Sequence, residues 1–217
     1  MPDAGAPAAC GEGRGLINTR TEQPGRLGGT LGNELLTSAT AVVLVALLLA
    51  EGVTIPFIGG LLTEHMFIGL LLIPPVALKL ASTGYRFLRY YAGSVRYRAK
   101  GPPPLALRAL APLLVVTTVL IFVTGVWLLL LGHKSDVVLE LHKVSFIVWA
   151  VLFVVHFLWH VPHVWTALAS ATRSRRPAGA TLRGAALAAS LGAGAVLAIA
   201  LLSLIEGWQR WPFGLPH

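Results

Sequence analysis

Five apolar runs, at roughly 34–54, 61–85, 105–131, 137–168 and 182–205, constrain this chain more than any other feature. Each reaches the length of about 20 residues that a helix needs to cross a hydrocarbon core about 30 Å thick. In lipid no water is available to satisfy backbone N–H and C=O groups, so each run must close its hydrogen bonds within itself, as a helix does. The sequence therefore predicts an all-α integral membrane helical bundle with five transmembrane helices. Composition agrees, because 55% of the residues are hydrophobic, 12% are charged and the mean hydropathy is +0.74, which sets the chain apart from soluble domains of this length.

Residues 1–33 are rich in Gly, Ala, Pro, Thr and Arg and show no apolar periodicity. Such a segment buries too little surface to offset its ordering entropy, and it is read as a disordered cytoplasmic N-terminal tail. The five-helix transmembrane domain then covers 34–206, and 207–217 form a short extracytoplasmic C-terminal tail. No apolar stretch precedes Cys10, so neither a cleavable signal peptide nor a lipoprotein signal is expected. A single cysteine also leaves no internal disulfide and no CxxCH site for covalent c-type haem.

The formal charge of +8 is confined to short stretches between the apolar runs. Spread over a face, it would suggest nucleic acid; confined in this way, it sets topology, and no nucleic-acid partner is expected. Thirteen of the seventeen cations fall on one side of the bundle, in the tail, in the second loop (Arg86 to Arg108) and in the fourth (Arg173 to Arg183). By the excess of Lys and Arg in cytoplasmic loops, that side is the cytoplasm. The other side receives Glu51, Glu64, Asp136, Glu140 and Glu206. The N-terminus is thus expected inside and the C-terminus outside, with Trp159, Trp165, Trp208 and Trp211 as interfacial anchors. Pro74 and Pro75 are expected to kink the second helix and Pro162 the fourth, since each removes a backbone donor. The fifth helix, rich in Gly, Ala and Ser, suits close approach to a neighbour.

Histidines carry the chemistry. Ionisable groups inside a membrane are costly and are functional candidates by default. His65 lies about one turn inside the outer end of the second helix, and His142 about one turn inside the outer end of the fourth, so the two share a depth. His156 follows His142 by fourteen residues, about 21 Å further in and about 40° from the same face. Two histidines so placed on one helix ask for partners fourteen residues apart on another, as in a bundle that stacks two bis-histidine haems. The second helix supplies one, His65; fourteen residues after it stands Lys79, not histidine, so His156 is expected to face a lysine. Gly69, one turn below His65, leaves room for a porphyrin edge, and Ser145, Phe146 and Trp149 follow His142 along its face.

His65-Met-Phe-Ile-Gly69, together with Leu141-His-Lys-Val-Ser-Phe146 and His156, resembles the bacterial cytochrome b561-like membrane cytochromes, including the haem-binding subunits of formate dehydrogenase and hydrogenase. The resemblance covers roughly residues 61–170. It implies a four-helix haem-binding core, haem b, quinone as a second cofactor or substrate, a redox partner subunit, and residence in the bacterial inner (plasma) membrane. It also implies His65, His142 and His156 as iron ligands. This chain departs from the pattern at Lys79 and in a first helix without histidine.

The leading expectation is an electron-transfer subunit, an electron carrier more than a stand-alone enzyme, with one b-type haem near the outer leaflet ligated by His65 and His142. It would exchange electrons with quinol or an extracytoplasmic partner. A second haem would need His156 with Lys79 or His160. An alternative is a metal-handling protein using the stripe His156, His160 and His163, positions i, i+4 and i+7 of one helix. Another is a haem-free assembly or anchoring subunit. His133 and Lys134 on the outer loop are candidates to meet haem propionates or a quinol headgroup. No nucleophile with a base, phosphate loop or carboxylate pair points to a hydrolase or transferase, and no inverted repeat points to a transporter.

Overall fold

The computed structural model describes residues 29–94, 105–173 and 180–209. They form six helices: α1 (Gly29–Thr54), α2 (Ile58–Tyr91), α3 (Leu105–Leu131), α4 (Asp136–Arg173), α5 (Ala180–Ala200) and the short α6 (Leu202–Gln209). Five of them, α1 to α5, are long and apolar enough to cross a membrane. The chain is an all-α, multi-pass membrane bundle. Large aliphatic side chains face outward along α4, with Val137 80% exposed and Leu158 65% exposed; a continuous apolar surface of this kind is stable against lipid and not against water.

Connections are short and conformationally specific. The turn Ile55–Phe57 reverses the chain between α1 and α2, with Phe57 N–H donating to the Thr54 carbonyl. α3 ends where Gly132 takes a φ of 67° and its N–H bonds back to Leu129, a left-handed helix stop that glycine adopts without strain. α1 begins at Gly29, five residues before its apolar run; the rest of the N-terminal tail lies outside the described residues.

Packing falls into two groups. α1, α2 and α5 form one, α3 and α4 the other, and the two touch more sparsely. α5 meets α2 at its small residues, as expected: a Cβ on Gly194 would collide with the Leu71 carbonyl. That carbonyl sits four residues before Pro75, which has no N–H to offer it. The close approach of Gly194 sets the backbone of α5 against it instead. The prolines, expected to kink α2, leave its φ and ψ helical; Leu61, near the start, is the residue with non-helical angles. α4 likewise runs on through Pro162.

The end carrying Glu64, Asp136, Glu140 and Glu206 is here called the acidic end, and the opposite one the basic end. At the basic end α1 and α2 are joined by polar contacts. Asn33 Nδ2 donates to the Ser82 carbonyl at 3.2 Å, and the Thr37 and Ser82 hydroxyls lie 3.2 Å apart. At the acidic end, α6 folds back over the bundle. Trp208, expected as an interfacial anchor, is buried there, with its indole N–H 3.4 Å from the Leu129 carbonyl. Trp159 is half-exposed, as an interfacial residue should be. Trp211 and the side chain of Trp165 lie outside the described residues.

Candidate functional site

The sparse contact between the two groups of helices leaves a cavity of about 1000 Å³, lined by α1, α2, α3 and α4, with Trp208 of α6 beside them. No residue of α5 lines it. The four-helix core foreseen in the sequence is thus present, with α5 outside it against α2. The volume lies at the upper end of the range for cofactor and ligand sites. Its wall is apolar apart from a few side chains, and the histidines are among these.

His65 and His142 come together across the cavity. Their ring centroids are 6.5 Å apart and their planes make an angle of 88°. Two imidazoles bound on opposite sides of one metal ion, each nitrogen about 2 Å away, put their centroids about 6.4 Å apart. Each ring plane can contain the ligand axis at any mutual twist, so a near-perpendicular pair suits axial ligation as well as a parallel one.

Hydrogen bonds on the far side of each ring decide which nitrogen is free. His65 Nδ1 lies 2.9 Å from Thr54 Oγ1 and 3.0 Å from Glu51 Oε1. The Thr54 hydroxyl gives its one proton to the Glu51 carbonyl at 2.6 Å, so towards His65 it can only accept. The Thr54 contact therefore favours the tautomer of His65 with the proton on Nδ1 and the lone pair on Nε2. On the other group the arrangement repeats with different residues. Thr124 donates to the Leu120 carbonyl at 2.7 Å and accepts from His142 Nδ1 at 2.9 Å. Each Nδ1 is held by the neighbouring helix of its own group, so each Nε2 is directed away from that helix. This is the outer-shell pattern that fixes the tautomer and orientation of metal-bound histidine.

Two glycines shape the surroundings. Gly125 lies under His142, where an added Cβ would be 3.2 Å from Cε1 of the ring. Gly69 lines the cavity beside Glu51, whose Oε1 would be 3.5 Å from a Cβ there. Phe146, Trp149, Phe153 and Phe157 then form a ladder of near-parallel rings down the cavity face of α4. The Trp149 indole is fixed by a 2.9 Å bond to the Thr118 hydroxyl.

The basic half of the cavity is different. Lys79 and His156 both line it, but the Lys79 amine donates to the Thr37 carbonyl of α1 at 2.8 Å. His156 stacks on His160 at 4.2 Å, and its Nδ1 is buried without a hydrogen-bond partner. His160 Nδ1 is 2.9 Å from the His156 carbonyl. The side chain of His163 lies outside the described residues. Among the described residues no group of three or more His, Cys, Asp or Glu side chains is arranged to hold a metal ion.

Glu51, Thr54 and Thr124 are the site residues that sequence reading missed. Glu51 counts in the sequence as one more acidic residue near the outer surface; in the fold its side chain is only 16% exposed and faces His65. A signal existed in the cost of placing a carboxylate inside an apolar run without a nearby cation. Thr124 carries none, because threonine bonded to its own helix is common in membrane segments. No family model, curated protein or solved structure matches this chain.

Proposed function

We propose that this chain is a membrane electron-transfer subunit that holds one b-type haem between His65 and His142, as its resemblance to the cytochrome b561-like proteins implies. The observation that carries the reading is the pair itself: two imidazoles from opposite groups of helices, their centroids 6.5 Å apart, each with a threonine hydroxyl at Nδ1. The haem would supply one-electron chemistry. The protein's share would be to hold both imidazoles by their Nδ1 atoms, to keep water away with an apolar wall, and to leave space at Gly69 and Gly125. Lys134 and Lys143 line the cavity, each paired with a carboxylate, Asp136 at 3.0 Å and Glu140 at 2.9 Å; they would meet a haem propionate by exchanging that partner.

In this reading the basic end faces the cytoplasm of a bacterial cell, with the N-terminus inside and the C-terminus outside the inner membrane. One site near the outer face makes donor and acceptor meet on that side, because tunnelling over the 21 Å to the basic half is poor without a second centre. A quinol or an extracytoplasmic redox subunit fits as the exchange partner. The basic half supports a second haem less well, since Lys79 is tied to α1 and His156 has no facing histidine.

A visible spectrum of the full chain, expressed with ample haem and purified in detergent, tests the proposal. A sharp α-band on dithionite reduction that disappears in both His65→Ala and His142→Ala is expected. A colourless protein, or a band that survives both substitutions, would overturn it. Orientation is tested separately in a Cys10→Ser background: Ser135→Cys is expected to react with an impermeant thiol reagent added to intact cells, and Ser94→Cys to react only after lysis.

A further inference from the structure

Lys79 and His156 line the basic half of the large cavity. Lys79 stands 21 residues along α2 from Ile58, about 31 Å at 1.5 Å per residue, which is the far boundary of a hydrocarbon core about 30 Å thick. His156, 20 residues along α4 from Asp136, reaches the same level. The Lys79 amine places one proton, on the Thr37 carbonyl; charged, it has two more to give, and neutral, it has one more and a lone pair. Among the described residues no carboxylate lies within ion-pair distance of it. His156 Nδ1 is buried without a hydrogen-bond partner, and a polar group left so in an apolar wall costs about 1–3 kcal/mol. The acidic side chain on the cavity wall is Glu51, and it faces His65 at the other end. Towards the middle of the membrane the walls are apolar. Trp149, Phe153 and Phe157 of α4 face Val45 and Leu48 of α1, and the same five residues line a smaller cavity of about 300 Å³. Leu49, which also lines it, is 66% exposed, so this space reaches the lipid-facing surface.

We infer that the basic half of the cavity binds a long-chain fatty acid from the surrounding leaflet, its carboxyl group between Lys79 and His156 and its chain along the aromatic ladder of α4. The site is separate from the His65–His142 pair and stands whether or not that pair holds haem. A carboxyl group brings two oxygens, one for the amine and one for the imidazole. It also reaches the same pair from either protonation state. A carboxylate meets an ammonium directly, an acid shares its proton with a neutral amine, and the imidazole donates to the one form or accepts from the other. The pairing is therefore independent of the charge Lys79 carries before the ligand arrives. A quinone carbonyl accepts from the amine, but it has no proton to exchange and no second oxygen beside it for His156. Lipid tails are as apolar as the cavity wall, so the chain gains little by leaving the bilayer and selectivity rests on the head. Entry is between α1 and α4, which touch sparsely.

The test is a titration of the delipidated full chain in detergent with radiolabelled palmitic acid. Saturable binding is expected, weakened about tenfold in Lys79→Met and in His156→Ala, the usual effect of losing a hydrogen bond to a charged group. Val45→Trp, which sets an indole across the chain path and leaves both polar groups in place, is expected to weaken binding as well. Methyl palmitate, with the same chain and no acid, is expected to compete at least about tenfold less well than palmitic acid. Should Lys79→Met fail to fold, methyl palmitate and Val45→Trp decide. Uptake that does not saturate, or that is equal in the wild type and Lys79→Met, overturns the inference. So does equal competition by methyl palmitate, decylubiquinone or phosphatidylglycerol, each of which would assign the space to a different occupant. The reduced α-band is read on the same samples: a haem-free chain that binds palmitic acid fails the electron-transfer reading alone, and a haem-loaded chain without saturable binding fails the fatty-acid site alone.

Discussion

Thr124 Oγ1 lies 2.9 Å from His142 Nδ1, and its own proton is committed to α3. It is the hydroxyl acceptor for that ring, with the Ile121 backbone beside it, whereas His65 has both Thr54 and the carboxyl group of Glu51. Thr124→Val should therefore weaken haem retention by roughly 10- to 100-fold, the usual effect of removing a ligand's outer-shell partner. Thr54→Val should cost less, because Glu51 remains. Haem loss followed by transfer to an apo-globin acceptor measures both, and an equal loss in the two variants would contradict the proposed roles.

Gly125, next to Thr124 on α3, tests the same ring. A methyl group at this position would stand 3.2 Å from His142 Cε1, so the imidazole must tilt away and take Nε2 off the axis. Gly125→Ala should lower haem occupancy by about tenfold at limiting haem while far-ultraviolet circular dichroism stays that of the wild type. Gly84→Ala, where a Cβ meets nothing within 4 Å, should leave occupancy unchanged.

Much of this architecture is legible in the sequence because it follows from constraints that act locally. Backbone groups in lipid must be satisfied within each segment, so apolar run length locates α1 to α5. Helical periodicity puts His65 and His142 at one depth, and the structure brings them together. What the sequence hides depends on how different helices meet. Glu51 reads as a surface charge until the turn at Ile55–Phe57 folds α2 back against it. Lys79 lies fourteen residues after His65, and its long side chain donates to the Thr37 carbonyl of α1, a bond the spacing does not foretell. Trp208 has the composition of an interfacial anchor, and only the break at Leu201 sends it inward to Leu129. Gly194, which packs on the Leu71 carbonyl that Pro75 leaves without a donor, lies 119 positions past that proline.

That contact makes α5 sensitive at one position and tolerant at others. Gly194→Ala drives a methyl group into the Leu71 backbone, which cannot rotate aside as a side chain would. A destabilisation of about 1–3 kcal/mol is expected, typical of overpacking. Gly184 and Gly192 have nothing within 4 Å of an added Cβ, so Gly184→Ala and Gly192→Ala should be neutral or slightly stabilising, alanine being the better helix former. Thermal unfolding in detergent separates the cases, and similar midpoints for Gly194→Ala and Gly192→Ala would mean that α5 does not pack on α2 through this face.

The basic half of the cavity supplies the last expectation. Lys79 donates to Thr37 and so braces α2 against α1, while His156 leans on His160 with no facing histidine. In the proposed reading neither residue then belongs to the His65–His142 site at the acidic end, which the fourteen-residue spacing sets about 21 Å away along the helices. The purified chain should carry one haem per polypeptide, measured as pyridine haemochrome against amino-acid analysis. His156→Ala should keep both that stoichiometry and the α-band. Lys79→Met should keep the band as well, and lose about 1–3 kcal/mol of stability, because the amine's charged hydrogen bond to α1 disappears. Two haems per chain in the wild type, falling to one in His156→Ala, would instead make the basic half a second redox centre and extend the electron path across the membrane.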